Sequence, residues 1–217
     1  MRISFCKPFD DLMNGGLESG CITNFYGPPG TAKTQIAMQA AISIATMGKK
    51  IIFIDTEGGF SVERLQQMTK ENVLNKIMIL EPKEWIEQKD MVKKLEEVLT
   101  KEDAGLIIVD SIIALWRLSI TEDNASEINR ELVTQLSILS NIARKFDVPV
   151  LITNQVYSDI ETGETQMSCK NIMKWWSKNI IELESLGPGQ RRATIRKARS
   201  LPEEESVEFK ITQDGLE

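Results

Sequence analysis

Short, mostly apolar runs recur along the chain, and most of them end at a polar residue. They cover residues 22–26, 51–55, 77–80, 106–110 and 148–153. Runs of this length are typical of parallel strands that are buried on both faces. The pattern therefore predicts a buried sheet whose strands end in side chains suited to chemistry.

Helix-like stretches separate these runs. Residues 84–100 are rich in Glu, Lys and Leu, and residues 124–146 place apolar side chains three or four positions apart, as one buried helix face requires. Asn124 followed by Glu127 resembles a capping start of the second helix. Alternating strands and helices predict an α/β fold with a mainly parallel sheet.

The C-terminal part of the chain has a different pattern. Strand-like segments at 179–184, 193–197 and 206–211 follow one another, with a turn at 186–190 between the first two. They predict antiparallel strands added to the parallel sheet. Since no long linker or repeat interrupts the pattern, we expect residues 1–217 to form a single domain.

Composition narrows the class of protein. Of the 217 residues, 41% are hydrophobic and 27% are charged, which is ordinary for a globular core. The net charge of −6 gives no overall basic surface for nucleic acid, so any DNA contact must come from a local patch. Histidine is absent, which excludes histidine bases and histidine metal ligands.

Cysteine usage and hydropathy predict the cellular location. No apolar run is long enough to cross a bilayer, and no basic-then-apolar signal segment opens the chain. Cys6, Cys21 and Cys169 are odd in number and widely spaced, so we expect reduced thiols. Together these features predict a cytoplasmic protein without a membrane partner.

A glycine-rich turn with Lys-Thr connects the first apolar run to a helix-like stretch. It consists of Gly27, Pro28, Pro29, Gly30, Thr31, Ala32, Lys33 and Thr34. Strand, glycine-rich turn, Lys-Thr and helix together are typical of a P-loop that binds ATP. Its backbone N–H groups and Lys33 would hold the phosphates, and Thr34 would bind Mg²⁺. Ala32 replaces the usual glycine, and alanine fits there if the helix has already begun.

Polar residues at later strand ends are expected to surround this loop. Asp110 ends an apolar run in a Walker B arrangement, which holds Mg²⁺. Glu57, after Asp55, is the candidate base for an attacking water, with an acid that caps the helix at Ser61 as the alternative. Gln155 is a candidate γ-phosphate sensor, with a strand-terminal hydrogen bond as the alternative.

Two basic stretches are the candidate DNA contacts. Lys170, Lys174 and Lys178 recur every fourth residue and would share a helix face beside Trp175 and Trp176. The alternative is that these tryptophans anchor the core. Arg191 and Arg192 begin the second stretch, whose alternative is a solvated sheet edge that blocks pairing with other strands.

The order of these motifs resembles the RecA-type recombinase core, and residues 9–17 resemble the entry to that core in archaeal RadA. The short length and residues 173–178 point to a paralogous group within that family. The resemblance covers nearly the whole chain and implies an α/β RecA-type P-loop NTPase core with ATP and Mg²⁺ as cofactors.

The resemblance also implies roles for individual residues. Lys33 would contact the phosphates, Glu57 the attacking water and Gln155 the γ-phosphate, while Thr34 and Asp110 would hold Mg²⁺. Arg64 matches the family arginine that stacks on adenine. Residues 200–203 resemble a proline-containing cap that touches ATP of a neighbouring subunit, and residues 156–170 fall where the second DNA-binding loop lies.

Departures from the family pattern favour an accessory role in recombination. We expect the chain to lack an N-terminal DNA-binding domain before the core and the segment with the polymerisation aromatic. Residues 159–164 of the second loop carry three acids that would repel phosphates. The expected partners are DNA at modest affinity, a RadA-like recombinase and further copies of the chain.

Two other functions stay open at this point. One is an interaction module that uses nucleotide as a structural ligand, and the other is a KaiC-like ATPase outside recombination. The first alternative is favoured by Ala32 and the acidic loop. A weak, DNA-dependent ATPase is favoured by Glu57 and Gln155.

Overall fold

A computed structural model describes residues 1–158 and 165–217 and places nine strands in one sheet. In spatial order the strands are β5 (Ile77–Leu80), β4 (Lys50–Asp55), β6 (Ala104–Asp110), β7 (Val150–Asn154), β3 (Ile22–Tyr26), β10 (Asn179–Gly187), β11 (Gln190–Lys197), β12 (Ser206–Thr212) and β13 (Gly215–Leu216). From β5 to β10 all neighbours are parallel, and from β10 to β13 all are antiparallel. The predicted parallel sheet with an antiparallel C-terminal extension is confirmed.

Two short ribbons and seven helices complete the described part of the chain. The ribbons pair β1 (Arg2–Ile3) with β2 (Leu17–Glu18), and β8 (Val156–Ser158) with β9 (Thr165–Met167). The helices are α1 (Lys7–Leu12), α2 (Lys33–Thr46), α3 (Val62–Met68), α4 (Trp85–Leu99), α5 (Ala114–Ser119), α6 (Ala125–Phe146) and α7 (Lys170–Trp176), with a 3₁₀ turn at Leu74–Lys76.

The core lies on both faces of the sheet because its central strands are apolar throughout. On one face Phe53 packs with α2, and on the other Ile107 packs with α4 and α6. Every residue of β6 is buried, as a strand covered on two sides requires. Because helices cover both faces of these central strands, a ligand of the sheet is expected at the carboxyl ends of its strands.

The predicted capping start of α6 is wrong. Asn124 does precede the helix, but its Oδ1 accepts from the backbone N–H of Thr121 at 2.6 Å, and its Nδ2 donates to the carbonyl oxygen of Ser119 at 2.9 Å. The side chain therefore closes the turn between α5 and α6 and does not cap the helix. This turn joins the end of α5 to the start of α6.

Across residues 1–158 and 165–217, no helix combines the length and the apolar character that a bilayer span needs.

Candidate functional site

Four parallel strands end around one cavity of about 320 Å³ at the carboxyl edge of the sheet. The loop after β3 supplies its floor, and β4, β6 and β7 each contribute a polar side chain. The lining, which we call the P-loop cavity, consists of Pro29, Gly30, Ala32, Lys33, Thr34, Gln35, Glu57, Asp110, Gln155 and Ile211. Ligands of parallel sheets bind at this edge.

Close backbone contacts shape the loop between β3 and α2. A Cβ atom on Gly27 would collide with the carbonyl oxygen of Leu183, so only glycine fits there. Thr31 is buried, and its Oγ1 donates to the carbonyl oxygen of Pro28 at 2.8 Å. Gly30 has a φ of +77°, a left-handed conformation that glycine adopts without strain. The loop therefore has the tight curve that a P-loop needs.

Lys33 lies inside this curve. Its Nζ donates to the carbonyl oxygens of Gly27 and Pro28, both at 2.8 Å. Burial lowers the pKa of Lys33, and the charges of Asp110 and Glu57 act in the opposite direction. An ammonium held by two carbonyl oxygens at a helix N-terminus is positioned to meet an anionic ligand.

Alanine was expected to fit at position 32 if the helix had already begun there, but in the structure it has not. Helix α2 begins at Lys33, and Ala32 precedes it with a φ of +79°. The left-handed conformation costs a residue with a Cβ roughly 1–2 kcal/mol. The chain therefore carries local strain next to the lysine of the P-loop.

Replacing Ala32 by glycine is expected to raise the free energy of unfolding by up to about 1 kcal/mol, because the relief of strain exceeds the entropy that glycine adds to the unfolded chain. Urea unfolding measures this change. Ala125→Gly is the matched control and should lower the stability, since Ala125 is the first residue of α6. Equal losses in both variants would contradict the left-handed conformation of Ala32.

The loop after β4 holds Glu57 at the cavity. Buried Asp55 accepts from the backbone N–H groups of Glu57, Gly59 and Phe60 at 3.2, 3.1 and 2.8 Å. Asp55 therefore folds this loop and does not line the cavity, contrary to its predicted place around the P-loop. The start of α3 is capped by Ser61, whose Oγ accepts from the backbone N–H of Arg64 at 3.1 Å. Capping is thus not the role of Glu57.

Thr56 fixes the ends of β4 and β6 to each other. Its Oγ1 donates to the carbonyl oxygen of Ser111 at 2.8 Å and accepts from the backbone N–H of Ser111 at 2.9 Å. The backbone N–H of Thr56 also donates to the carbonyl oxygen of Asp110 at 2.9 Å. These bonds set the position of Glu57 relative to Asp110.

Thr34 and Asp110 have the chemistry of a Mg²⁺ site. Burial raises the pKa of Asp110, and hydrogen bonds from Thr153 and Thr34 oppose that rise. A Cβ atom added to Gly59 would lie 3.4 Å from Thr34 Oγ1 and 4.0 Å from Asp110 Oδ2, so both oxygens border the same space. Hydroxyl and carboxylate oxygens are ligands that Mg²⁺ prefers. The residues present therefore fit this ion.

Gln155 joins two charged residues at the cavity. Its Nε2 donates to Glu57 Oε1 at 2.7 Å, and its Oε1 accepts from Arg117 Nη1 at 2.7 Å. Arg117 lies in the last turn of α5 and was not among the site residues predicted from the sequence. No motif identifies this arginine, and only its short distance along the chain from Asp110 points to the site.

Arg64 lies at the edge of the cavity. Its Nε donates to Gln35 Oε1 at 2.7 Å, and Gln35 lines the cavity. Its Nη1 and Nη2 donate to the carbonyl oxygens of Gln213 and Thr212, both at 2.7 Å. The guanidinium thus connects α3 to the turn between β12 and β13. The adenine-stacking role stays a prediction.

The structure places the two candidate DNA-binding arginines, Arg191 and Arg192, in different surroundings. Arg191 belongs to the P-loop, because its Nε donates to the carbonyl oxygen of Gly30 at 2.8 Å. Arg192 points to the other face of β11 and pairs with Glu208 at 2.8 Å. Alternation along a strand forces this separation. The contribution of Arg191 and Arg192 to DNA binding stays a prediction.

Because Arg191 contacts the P-loop and Arg192 does not, the alanine variant of Arg192 is a matched control for that of Arg191. Arg191→Ala is expected to weaken ATP binding roughly 3- to 10-fold, because the carbonyl of Gly30 loses a charge-assisted hydrogen bond that holds the loop. Arg192→Ala should leave ATP binding unchanged, since its exposed ion pair is worth little. Titration calorimetry with ATP measures both. Equal effects of the two variants would contradict the assignment of Arg191.

The three predicted lysines do not share one helix face. Lys170 and Lys174 lie on α7, but the helix ends at Trp176, and Lys178 follows it in a bend before β10. All three side chains are exposed. Lys170 and Lys174 line a second cavity of about 320 Å³ together with Arg196. A local basic surface remains, and we call Lys170, Lys174 and Lys178 the α7 lysines.

The two tryptophans of α7 have different surroundings. Trp176 packs against the core, in agreement with the alternative prediction that the tryptophans anchor the core. Trp175 is 77% exposed beside the α7 lysines, so the core-anchor interpretation is wrong for this residue.

The acids of residues 159–164 lie outside the described residues. In the segment that resembles a cap, Ser200 Oγ accepts from Arg2 Nη2 at 2.9 Å.

Comparison with known proteins decides the family. A model of the Rad51 family matches residues 2–217. The DNA repair and recombination protein RadB of Methanococcoides burtonii is 44% identical to this chain, over 99% of the chain and 96% of that protein. RadB of Methanobrevibacter smithii is 37% identical, over 95% of this chain and 92% of that protein. The chain belongs to the RadB proteins of the Rad51 family.

A solved RadB structure supports the same assignment. The crystal structure of the RadB recombinase is 34% identical to this chain, covers 100% of it and 98% of its own chain, and superposes with a TM-score of 0.86. The RecA-type fold expected from the order of the motifs is thereby confirmed. RadB membership also agrees with the short length and with residues 173–178.

Proposed function

We propose that this chain is an ATP-binding RecA-core protein of DNA repair by homologous recombination, and that it acts as an accessory to a RadA-like recombinase. The observation that carries the proposal is the convergence of Lys33, Thr34, Glu57, Asp110 and Gln155 on one cavity. RadB relatives described as DNA repair and recombination proteins support the cellular process.

The residues of the P-loop cavity have complementary tasks in this proposal. Lys33 turns from the carbonyls of Gly27 and Pro28 toward the phosphates, where its charge is needed. Thr34 and Asp110 hold Mg²⁺, which neutralises the charge of the phosphates when bound. Glu57 accepts a hydrogen bond from the attacking water and orients it. With no histidine in the chain, a carboxylate is the natural group for this step.

One experiment tests the proposal directly. ATP binding is measured by calorimetry, and steady-state hydrolysis is measured with and without single-stranded DNA. We expect binding that requires Mg²⁺ and slow turnover that DNA increases. Absence of ATP binding would reject the nucleotide site, and turnover that DNA does not change would favour a RecA-fold ATPase outside recombination.

A second candidate function is favoured by Trp175. A tryptophan that is 77% exposed is typical of protein interfaces, where aromatic residues supply much of the binding energy. In this interpretation α7 contacts a protein partner and the nucleotide is a structural ligand. ATP binding without turnover, together with loss of RadA binding in Trp175→Ala, would support it.

The DNA interaction depends on the α7 lysines in the leading proposal. An acidic chain that neutralises few phosphates should show a shallow salt dependence, with a slope of about 0.9 per duplex phosphate or about 0.7 per single-strand phosphate. Changing all three lysines to alanine should flatten this slope and weaken binding to all sequences alike. Fluorescence anisotropy at several salt concentrations measures both effects.

The control for the lysine variant removes equal charge elsewhere on the surface. This control changes three exposed lysines that form ion pairs outside α7. They are Lys49, Lys93 and Lys145, which pair with Asp103, Asp90 and Glu96. If the control weakens DNA binding as much as the α7 variant does, net charge and not a local patch governs binding.

A further inference from the structure

The amide of Gln155 has only one orientation that satisfies both of its neighbours. An arginine can only donate hydrogen bonds, and an ionised carboxylate can only accept them. Arg117 therefore requires the oxygen of the amide, and Glu57 requires its nitrogen; both contacts are 2.7 Å long. If the amide rotated by half a turn, its nitrogen would face the guanidinium and its oxygen would face the carboxylate.

Arg117 lies beside Gln155 because contacts with neighbouring elements hold helix α5 in place. Leu115 of α5 is buried in the core, and Trp116 Nε1 donates to Asn129 Oδ1 of α6 at 3.2 Å. Just before α5, the backbone N–H of Ile112 donates to the carbonyl oxygen of Thr153 on β7 at 3.1 Å. Helix α5 is thus tied to α6 and to the strand that ends at Gln155.

We propose that Arg117 is a positioning residue, which fixes the amide of Gln155 so that its NH₂ group points to Glu57 and to the phosphate edge of the P-loop cavity. This inference rests on the proposed nucleotide function of the same cavity. Arg117 acts through Gln155 and does not line the cavity itself.

Loss of Arg117 is expected to affect ATP hydrolysis more than ATP binding. The NH₂ group of Gln155 holds the carboxylate of Glu57 in place, and a misplacement of about 1 Å in a reacting group costs roughly 100-fold in rate. Arg117→Met should therefore lower kcat roughly 10- to 100-fold and leave the KM for ATP unchanged. Arg117→Lys keeps a charged donor and should recover part of the rate.

The orientation can be tested without any turnover. In the ¹H–¹⁵N spectrum of the full chain, the side-chain NH₂ signal of Gln155 is identified by its loss in Gln155→Glu. We expect Arg117→Met to shift this signal and Arg144→Met to leave it in place, because Arg144 donates hydrogen bonds to Ser140 and Asn141 of its own helix. An unmoved signal in Arg117→Met, with an unchanged melting temperature, would overturn the proposal.

A double-mutant cycle provides the second test. If Arg117 acts through Gln155, Arg117→Met should lower kcat in the wild type but not in a Gln155→Met background. Equal losses in both backgrounds would overturn the proposal even if ATP binds and is hydrolysed. A wild-type chain that binds no ATP would instead reject the proposed function, and the NH₂ signal would still decide the contact.

Discussion

Replacing Lys33 by alanine is expected to abolish ATP binding at ordinary nucleotide concentrations. The ammonium is the only cationic side chain among the described residues that line the P-loop cavity. Loss of one member of a buried charged pair costs roughly 2–5 kcal/mol, which lowers affinity roughly 30-fold to several thousand-fold. Calorimetry with Mg·ATP measures the loss.

The control for this variant is Lys49→Ala. Lys49 pairs with Asp103 at 2.6 Å on the surface and lies away from the P-loop cavity. Its replacement should leave ATP affinity unchanged, since exposed ion pairs contribute little. The P-loop assignment would be wrong if Lys33→Ala bound ATP as tightly as the wild type did.

Glu57→Gln is expected to separate hydrolysis from binding. The variant keeps the shape of the side chain and an oxygen that can accept from Gln155 Nε2, but it loses the basic carboxylate. Hydrolysis should fall by roughly two to four orders of magnitude, while ATP affinity persists. Single-turnover assays measure the chemical step, and calorimetry measures the affinity.

Glu63→Gln is the matched control, because Glu63 is a nearby exposed acid in the first turn of α3. It should hydrolyse ATP at the rate of the wild type. Normal hydrolysis by Glu57→Gln would show that Glu57 is not the base. Undetectable hydrolysis by the wild type would favour the nucleotide as a structural ligand.

The features that could be predicted from the sequence are those fixed by short segments. The run ending at Asp110 is buried on both faces, so its apolar composition alone identifies a central strand. The P-loop is likewise contiguous, so Gly27 to Thr34 can be recognised from one short segment. Parallel pairing then brings Glu57, Asp110 and Gln155 to one edge, as the position of each at a strand end predicts.

The features that could not be predicted depend on contacts between distant segments. Arg191 meets the P-loop because β11 follows β10, which itself lies beside β3. No spacing along the chain encodes that contact. Arg117 meets Gln155 because bonds from α5 and its flanking turns to α6 and β7 hold the helix in place. A four-residue spacing suggested one helix face for the α7 lysines, but the helix ends before Lys178.

The close approach of Leu183 to Gly27 has a consequence for how the chain opens. Residues of β10 to β12 shape the P-loop cavity: Leu183 lies against Gly27, Arg191 Nε donates to the carbonyl oxygen of Gly30, and Ile211 belongs to the lining. A ligand that binds only the closed arrangement stabilises every element that shapes the site. Under the proposed function, we therefore expect nucleotide occupancy to be linked to the local unfolding of β10 to β12, so that ATP slows amide hydrogen exchange in strands far along the chain from the P-loop.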